Sequence, residues 1–238
     1  MELRTYPSQI TGSTETYSIY LPPQYGQTDR RFPVLYLLHG WPYRDANWDK
    51  IGADEEADRM MAEGALPPFI IVLPWATERL YVSTSGGSDS FEAQLIRDLI
   101  PHIDATYRTW TQREGRSLGG ISRGGVWSLQ TGFYHADTFA AIGAHSPALE
   151  LNRAPPVYDP FNLLELPGVN TLRIYLDAGS QDWAYPGTAA LHEAMEAAQL
   201  NHVFVVHPGG HSSALWAASV GEYLAFYSDG WPMEGFAP

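Results

Sequence analysis

The chain has 238 residues, 45% of them hydrophobic, and a formal net charge of −13. That length and apolar content suffice for a full core, with one domain over 1–238 as the expectation. The acidic balance argues against nucleic acid and anionic membrane surfaces, which Lys and Arg would hold, and the lack of cysteine excludes disulfides, thiolate catalysis and cysteine-ligated metals.

From the amino end, Met1 to Pro7 carries no apolar stretch of signal-peptide type, and no later run is long enough to span a bilayer. The expectation is a soluble chain, cytoplasmic by default and secreted if it has been trimmed. Apolar runs of strand length then alternate with segments of helical period, which predicts an α/β fold: a mostly parallel sheet with helices on both faces. The predicted strands are Thr16 to Leu21, Phe32 to Leu38, Phe69 to Leu73, Arg116 to Ile121, Phe139 to Ala144, Leu172 to Leu176 and His202 to Val206. The acidic run Asp54-Glu55-Glu56-Ala57-Asp58 reads as a solvated helix start rather than a metal site. Phe91, Leu95, Leu99 and Ile103 recur every four residues, with Asp89 and Glu92 as a capping box and a kink at Pro101. A further helix spans about Gly187 to Leu200, and a last one starts near Ser212 or Ser213. The stretch Ser146 to Asn170 is the longest irregular connection.

Gly120-Ile121-Ser122-Arg123-Gly124 is a G-x-S-x-G motif between an apolar strand and a helix. A serine on so sharp a turn takes strained backbone angles, and Gly119, Gly120, Gly124 and Gly125 give the room it needs. The helix that follows points its amino end at the reacting group, so the Arg123 N–H suits a developing oxyanion. These features point to a nucleophilic serine at Ser122.

Such a serine needs a base, and the base needs a carboxylate to fix its tautomer; in this kind of fold they follow in the order Ser, acid, His. Asp177 and Asp182 both follow the strand ending at Leu176, and Asp182, farther out in the loop, is preferred. His207 and His211 follow the next strand, and His211, after Gly209-Gly210 and before the final helix, is preferred as the base. A second oxyanion donor is expected after Leu37-Leu38-His39-Gly40; Pro42 has no N–H, which leaves Trp41. His39 is read as a buried brace of that turn. His145, after the strand next to the nucleophile, is placed at the pocket wall.

Tyr36 to Gly40, Trp48, the Ile100-Pro101 helix leading to Tyr107, the elbow Gly119 to Gly125, the Asp177 to Asp182 loop and the Gly209 to Trp216 segment together resemble the putative-esterase family of α/β-hydrolases. That family includes feruloyl and acetyl-xylan esterases, S-formylglutathione hydrolases, enterochelin esterases and mycolyltransferases. The resemblance covers about Tyr6 to Tyr227 and implies an α/β-hydrolase fold without a large lid, with Ser122 as nucleophile, Asp182 as acid and His211 as base. One departure is Arg123, where many members carry methionine.

Trp41, Tyr43, Trp48, Trp75, Tyr81, Trp127, Trp183, Tyr185 and Trp216 gather near the expected mouth, where aromatic faces suit sugar or phenolic rings. Trp127, within the helix after the elbow, is expected in the core; Trp48 and Trp183, with His145, are expected to touch substrate. Nothing in this chemistry needs a metal or a cofactor. The expected activity is hydrolysis of carbohydrate-linked or phenolic esters through an acyl-enzyme. An acyltransferase on the same residues and a silent carbohydrate-binding module stand as the alternatives; the oligomeric state is left open.

Overall fold

A computed structural model describes residues 1–77 and 87–234 of the chain. Eight strands form one sheet: β1 (Glu2–Ser8), β2 (Ser13–Tyr20), β3 (Val34–Leu38), β4 (Ile70–Pro74), β5 (Arg116–Ile121), β6 (Ala141–His145), β7 (Arg173–Gly179) and β8 (Val203–His207). Their spatial order is β1-β2-β4-β3-β5-β6-β7-β8. β2 is antiparallel to both β1 and β4, and all pairings from β4 through β8 are parallel. The seven strands read from the sequence are present with ends shifted by a few residues, and β1 is an additional one. Its residues are mostly exposed, with only Tyr6 and Ser8 buried, so it carries no apolar run for the eye to find.

Side chains of β3 alternate between two cores, as a strand covered on both faces requires. Val34, Tyr36 and Leu38 pack on one side, while Leu35 and Leu37 pack on the other. The first side is covered by α3 (Phe91–Gln94), α4 (Ile100–Thr106), α5 (Arg123–Tyr134) and α6 (Tyr185–Ala197). The second is covered by α1 (Asn47–Lys50), α2 (Ala53–Ala62) and α7 (Ser213–Ser228). Among the described residues no helix is long and apolar enough to cross a membrane.

The helix expected from Phe91 onward is interrupted. A π-turn over Leu95–Leu99 separates α3 from α4, just ahead of Pro101, whose missing N–H and ring the wider turn accommodates. Its cap is Ser90 rather than Asp89, the Ser90 Oγ accepting from the Ala93 N–H at 3.1 Å. The acidic helix start at α2 is only partly solvated, because Asp54 is buried. The segment after β6 folds into short 3-10 turns and packs on α5 and α6: Gln130 donates to Tyr158 O at 2.7 Å, and Glu150 Oε1 accepts from Gly187 N at 2.7 Å.

Candidate active site

Four parallel strands, β5 to β8, deliver their carboxyl ends side by side. Their register puts Ile121 opposite His145, His145 opposite Asp177 and Gly179 opposite His207. Loops leaving such a row of strand ends converge, which is where open α/β sheets bind ligands.

At the end of β5 the chain turns through Ser122, with φ 56° and ψ −113°, directly into α5. That positive φ is strained for a side-chain-bearing residue and persists because its surroundings over-determine it. The Ser122 N–H donates to His145 O at 2.8 Å, and Ser122 O accepts from Gly125 at 3.1 Å and from Ala148 at 3.0 Å. A Cβ on Gly120 would collide with the Gly124 carbonyl, and one on Gly124 with the carbonyls of Leu38 and His39. The glycines therefore let β3, β5 and α5 cross in contact. Gly119 has another purpose: a Cβ there would occupy the place of the Tyr227 hydroxyl.

Beyond β7, Ser180 N–H donates to His207 O at 2.7 Å and Gln181 N–H to Gly209 O at 2.8 Å, tying the Asp182 loop to the His211 loop. Asp182 Oδ1 accepts from the Ala184 N–H and lies against His211 Nδ1, both at 2.8 Å. Burial works to raise this carboxyl, but the hydrogen bonds from His211 and Ala184, with the influence of the Ser146 hydroxyl, outweigh it and hold Asp182 below the ordinary carboxylate value. An ionised Asp182 is acceptor-only, so the Nδ1 of His211 carries the proton. Nε2 is then left as the acceptor for the Ser122 hydroxyl, 2.9 Å away. Trp183 lies against one side of the His211 ring at 4.4 Å between centroids, and Trp216 meets it edge-on at 5.0 Å.

Asp177, the other carboxylate weighed in the sequence, is sealed inside the molecule. It faces His145 Nδ1 at 2.7 Å through Oδ1 and accepts from the Tyr223 hydroxyl at 2.6 Å through Oδ2. His207 approaches the same carboxylate, its Nε2 standing 3.5 Å from Asp177 Oδ2. His145 is fully buried, with Tyr227 on its Nε2 at 2.7 Å and the Tyr223 ring stacked at 3.6 Å, so it does not line a pocket. The reason is strand direction: its side chain turns into the layer beneath α7. Trp48 is likewise a core residue, 1% exposed, donating from Nε1 to Leu38 O at 3.0 Å and packing edge-on to His145. Neither can touch a substrate at the mouth.

The turn after β3 is braced from three sides. His39 is buried, its Nε2 accepts the Ala76 N–H at 3.1 Å, and its Nδ1 faces Gly40 O at 2.9 Å. Burial pushes this imidazole down to about 4, against the smaller upward pull of the Gly40 carbonyl, so it is neutral with the proton on Nδ1. Trp48 holds the Leu38 carbonyl, and Asn47 Oδ1 accepts the Gly40 N–H at 3.1 Å. A Cβ on Gly40 would stand 3.3 Å from the Ser122 Cβ, so the turn lies directly against the serine. Sequence reasoning did not single out Asn47; the only trace was a polar residue seven positions past a tight glycine turn.

Of the aromatic cluster, Trp41, Tyr43 and Trp183 are exposed at 68%, 40% and 45%. Trp127 and Trp216 are buried, and the Arg44 guanidinium sits 4.7 Å over the Trp75 ring. Tyr81 lies outside the described residues. Among the described residues no group of three or more His, Asp or Glu could hold a metal.

A family model described as "Putative esterase" matches residues 8–227. An endo-1,4-beta-xylanase/feruloyl esterase of Xylanibacter ruminicola is 35% identical over 130 residues, 51% of this chain and 18% of that protein. An iron(III) salmochelin esterase of Escherichia coli is 26% identical over 92% of this chain and 56% of its own length. The chain thus spans between about a fifth and somewhat over half of these curated relatives. In the fold itself it matches a solved ferulic acid esterase with a TM-score of 0.86 at 23% identity, over 95% of this chain and 97% of that one. The architecture is that of an α/β-hydrolase.

Proposed function

The chain belongs to the putative-esterase family, and from that premise we propose that it is a serine carboxylic-ester hydrolase working through an acyl-enzyme, its residues 1–238 acting as one esterase domain. The reading is carried by one observation, the run of hydrogen bonds from Ser122 Oγ through His211 to Asp182 at 2.9 and 2.8 Å. In this reading the Ser122 oxygen attacks the ester carbonyl carbon as His211 Nε2 takes its proton. Asp182 keeps Nδ1 protonated and offsets the charge of the imidazolium. The carbonyl oxygen, now negative, is received by the N–H groups of Trp41 and Arg123. Both are fixed by backbone, the first by the turn that Asn47 and His39 brace, the second by the first turn of α5.

Collapse of the tetrahedral species expels the alcohol, which takes the proton from His211. Water then enters, His211 removes its proton, the hydroxide attacks the acyl carbon, and Ser122 leaves with that proton restored. Arg123 contributes only its N–H to this sequence, so the departure from methionine at that position leaves the chemistry intact.

For substrate, we take carbohydrate-linked or phenolic esters. Trp41, Tyr43 and Trp183 support this choice, being large rings left exposed on the turn that lies against Ser122 and beside His211. The test is hydrolysis of matched acetyl, octanoyl and feruloyl esters with the Ser122→Ala protein as blank. A Ser122-dependent rate is expected, greatest on the feruloyl ester; equal rates in the two proteins would sink the assignment. Adding a sugar alcohol separates hydrolysis from acyl transfer by product ratio.

A further inference from the structure

Asp182 has one buried oxygen that the residues discussed so far leave unserved. Oδ1 takes both the His211 and the Ala184 bonds, whereas Oδ2 is buried without a well-formed hydrogen bond. A bare carboxylate oxygen away from water is costly unless an oriented donor serves it.

Ser146 is the donor at hand. It is fully buried at the end of β6, and it holds φ at 48°, a conformation an L-residue other than Asn or Asp seldom takes. Its N–H is spent on Asp177 O at 2.8 Å. Its Oγ accepts from Trp216 Nε1 at 3.2 Å. An oxygen already accepting from an indole N–H has its own proton left to give. The indole fixes the oxygen that carries that proton.

We infer that Ser146 and Trp216 are positioning residues for the acid: Trp216 anchors the Ser146 oxygen, and the Ser146 hydroxyl donates toward Asp182 Oδ2, keeping Oδ1 turned to His211. The same hydroxyl is among the groups that hold the Asp182 carboxyl below its ordinary value. This inference rests on the proposed roles of Ser122, Asp182 and His211. It also gives a reason for a serine at a left-handed position where glycine would cost no strain. Trp216 makes a T-shaped contact with the His211 ring, so one indole touches both the base and the group that steadies the acid.

The test compares Ser146→Ala, Ser146→Gly and Trp216→Phe with the parent chain, using 4-nitrophenyl acetate for kcat and KM across pH and NMR titration of the His211 ring. Removing the donor leaves more charge on Asp182 to hold the His211 proton, and raises Asp182 itself, so both effects move the acid limb to higher pH. The expected result is a roughly tenfold fall in kcat at unchanged KM for both Ser146 variants, with the acid limb and the His211 titration moved upward, and a smaller change of the same sign in Trp216→Phe. Glycine relieves the backbone strain but lacks the hydroxyl. Ser146→Gly activity equal to the parent, or a loss with the His211 titration unmoved, would overturn the inference. If the parent shows no Ser122-dependent hydrolysis, the esterase reading fails on its own, and the His211 titration still decides whether Ser146 acts on Asp182.

Discussion

His145 and Asp177 are register partners on β6 and β7, and their side chains meet at 2.7 Å in a part of the molecule that no solvent reaches. Tyr223 and Tyr227 close the remaining valences. Such a set stabilises only while complete, because removal of one partner leaves a buried polar group or charge uncompensated. The two aspartates of the β7 region should therefore separate cleanly on substitution. Asp177→Asn is expected to lower the unfolding free energy by about 3 kcal/mol in urea titrations, while the folded fraction keeps much of its turnover. Asp182→Asn is expected to cost less stability than Asp177→Asn and to reduce kcat by about 10⁴-fold, since the asparagine would favour the wrong His211 tautomer. The opposite pattern would exchange the two roles.

How legible this was in the sequence depended on whether the deciding feature was chemical or directional. Order along the chain and loop position sufficed to prefer Asp182 over Asp177 and His211 over His207, and the hydrogen bonds run through the preferred pair. The strands buried on both faces were visible because nearly every residue in them is apolar. What failed was direction. His145 follows the strand beside the nucleophile, but its side chain turns inward to Asp177, and Trp48 faces the same layer. The long-range partners Ser146 to Trp216 and Gly119 to Tyr227 had no signal at all, because each joins segments whose proximity only the assembled sheet creates.

Asn47 offers a second prediction. Its Oδ1 is the acceptor for the Gly40 N–H, and the turn it steadies lies against Ser122 and, in the proposed mechanism, carries the Trp41 N–H that receives the oxyanion. An oxyanion donor counts chiefly in the transition state, so loosening it lowers kcat more than it raises KM. Asn47→Ala is expected to lose about 10- to 100-fold in kcat with KM within about twofold, less than outright loss of a donor because the His39 and Trp48 braces persist. Steady-state kinetics on one ester checks this. A rise in KM with kcat unchanged would detach the turn from the oxyanion.

His39 predicts a pH dependence of stability. Its folded value, pressed down to about 4 by burial, lies below the ordinary histidine value, so between pH 4 and 6.5 the unfolded chain binds a proton that the folded chain refuses. Stability therefore falls as pH drops through that window, by about 3 kcal/mol in all from this group. Asp182 acts at lower pH and in the same sense: its folded value is depressed, so its contribution is complete above the unfolded carboxylate value and is lost as pH falls through the folded one. Replacing His39 by Gln, which can still accept the Ala76 N–H, should lower stability at pH 7 yet flatten the curve between pH 4 and 6.5. Denaturation at half-unit pH steps measures the slope, and an unchanged slope would remove His39 as its source.

Trp183 joins the base to the mouth, and so connects specificity with chemistry. Its ring lies against His211 yet stays 45% exposed, which leaves one face for an incoming ring while the other limits the tilt of the imidazole. Stacking of an aromatic acyl or sugar group there is worth about 1 kcal/mol, or about fivefold in affinity. Trp183→Leu keeps an apolar cover on His211 but gives up the flat face. The expected outcome is a KM roughly fivefold higher for a feruloyl ester, an acetyl ester barely affected, and unfolding free energy within about 0.5 kcal/mol of the parent because the residue is so exposed. Equal effects on both esters would mean that Trp183 serves His211 alone, and ring recognition would then fall to Trp41 and Tyr43.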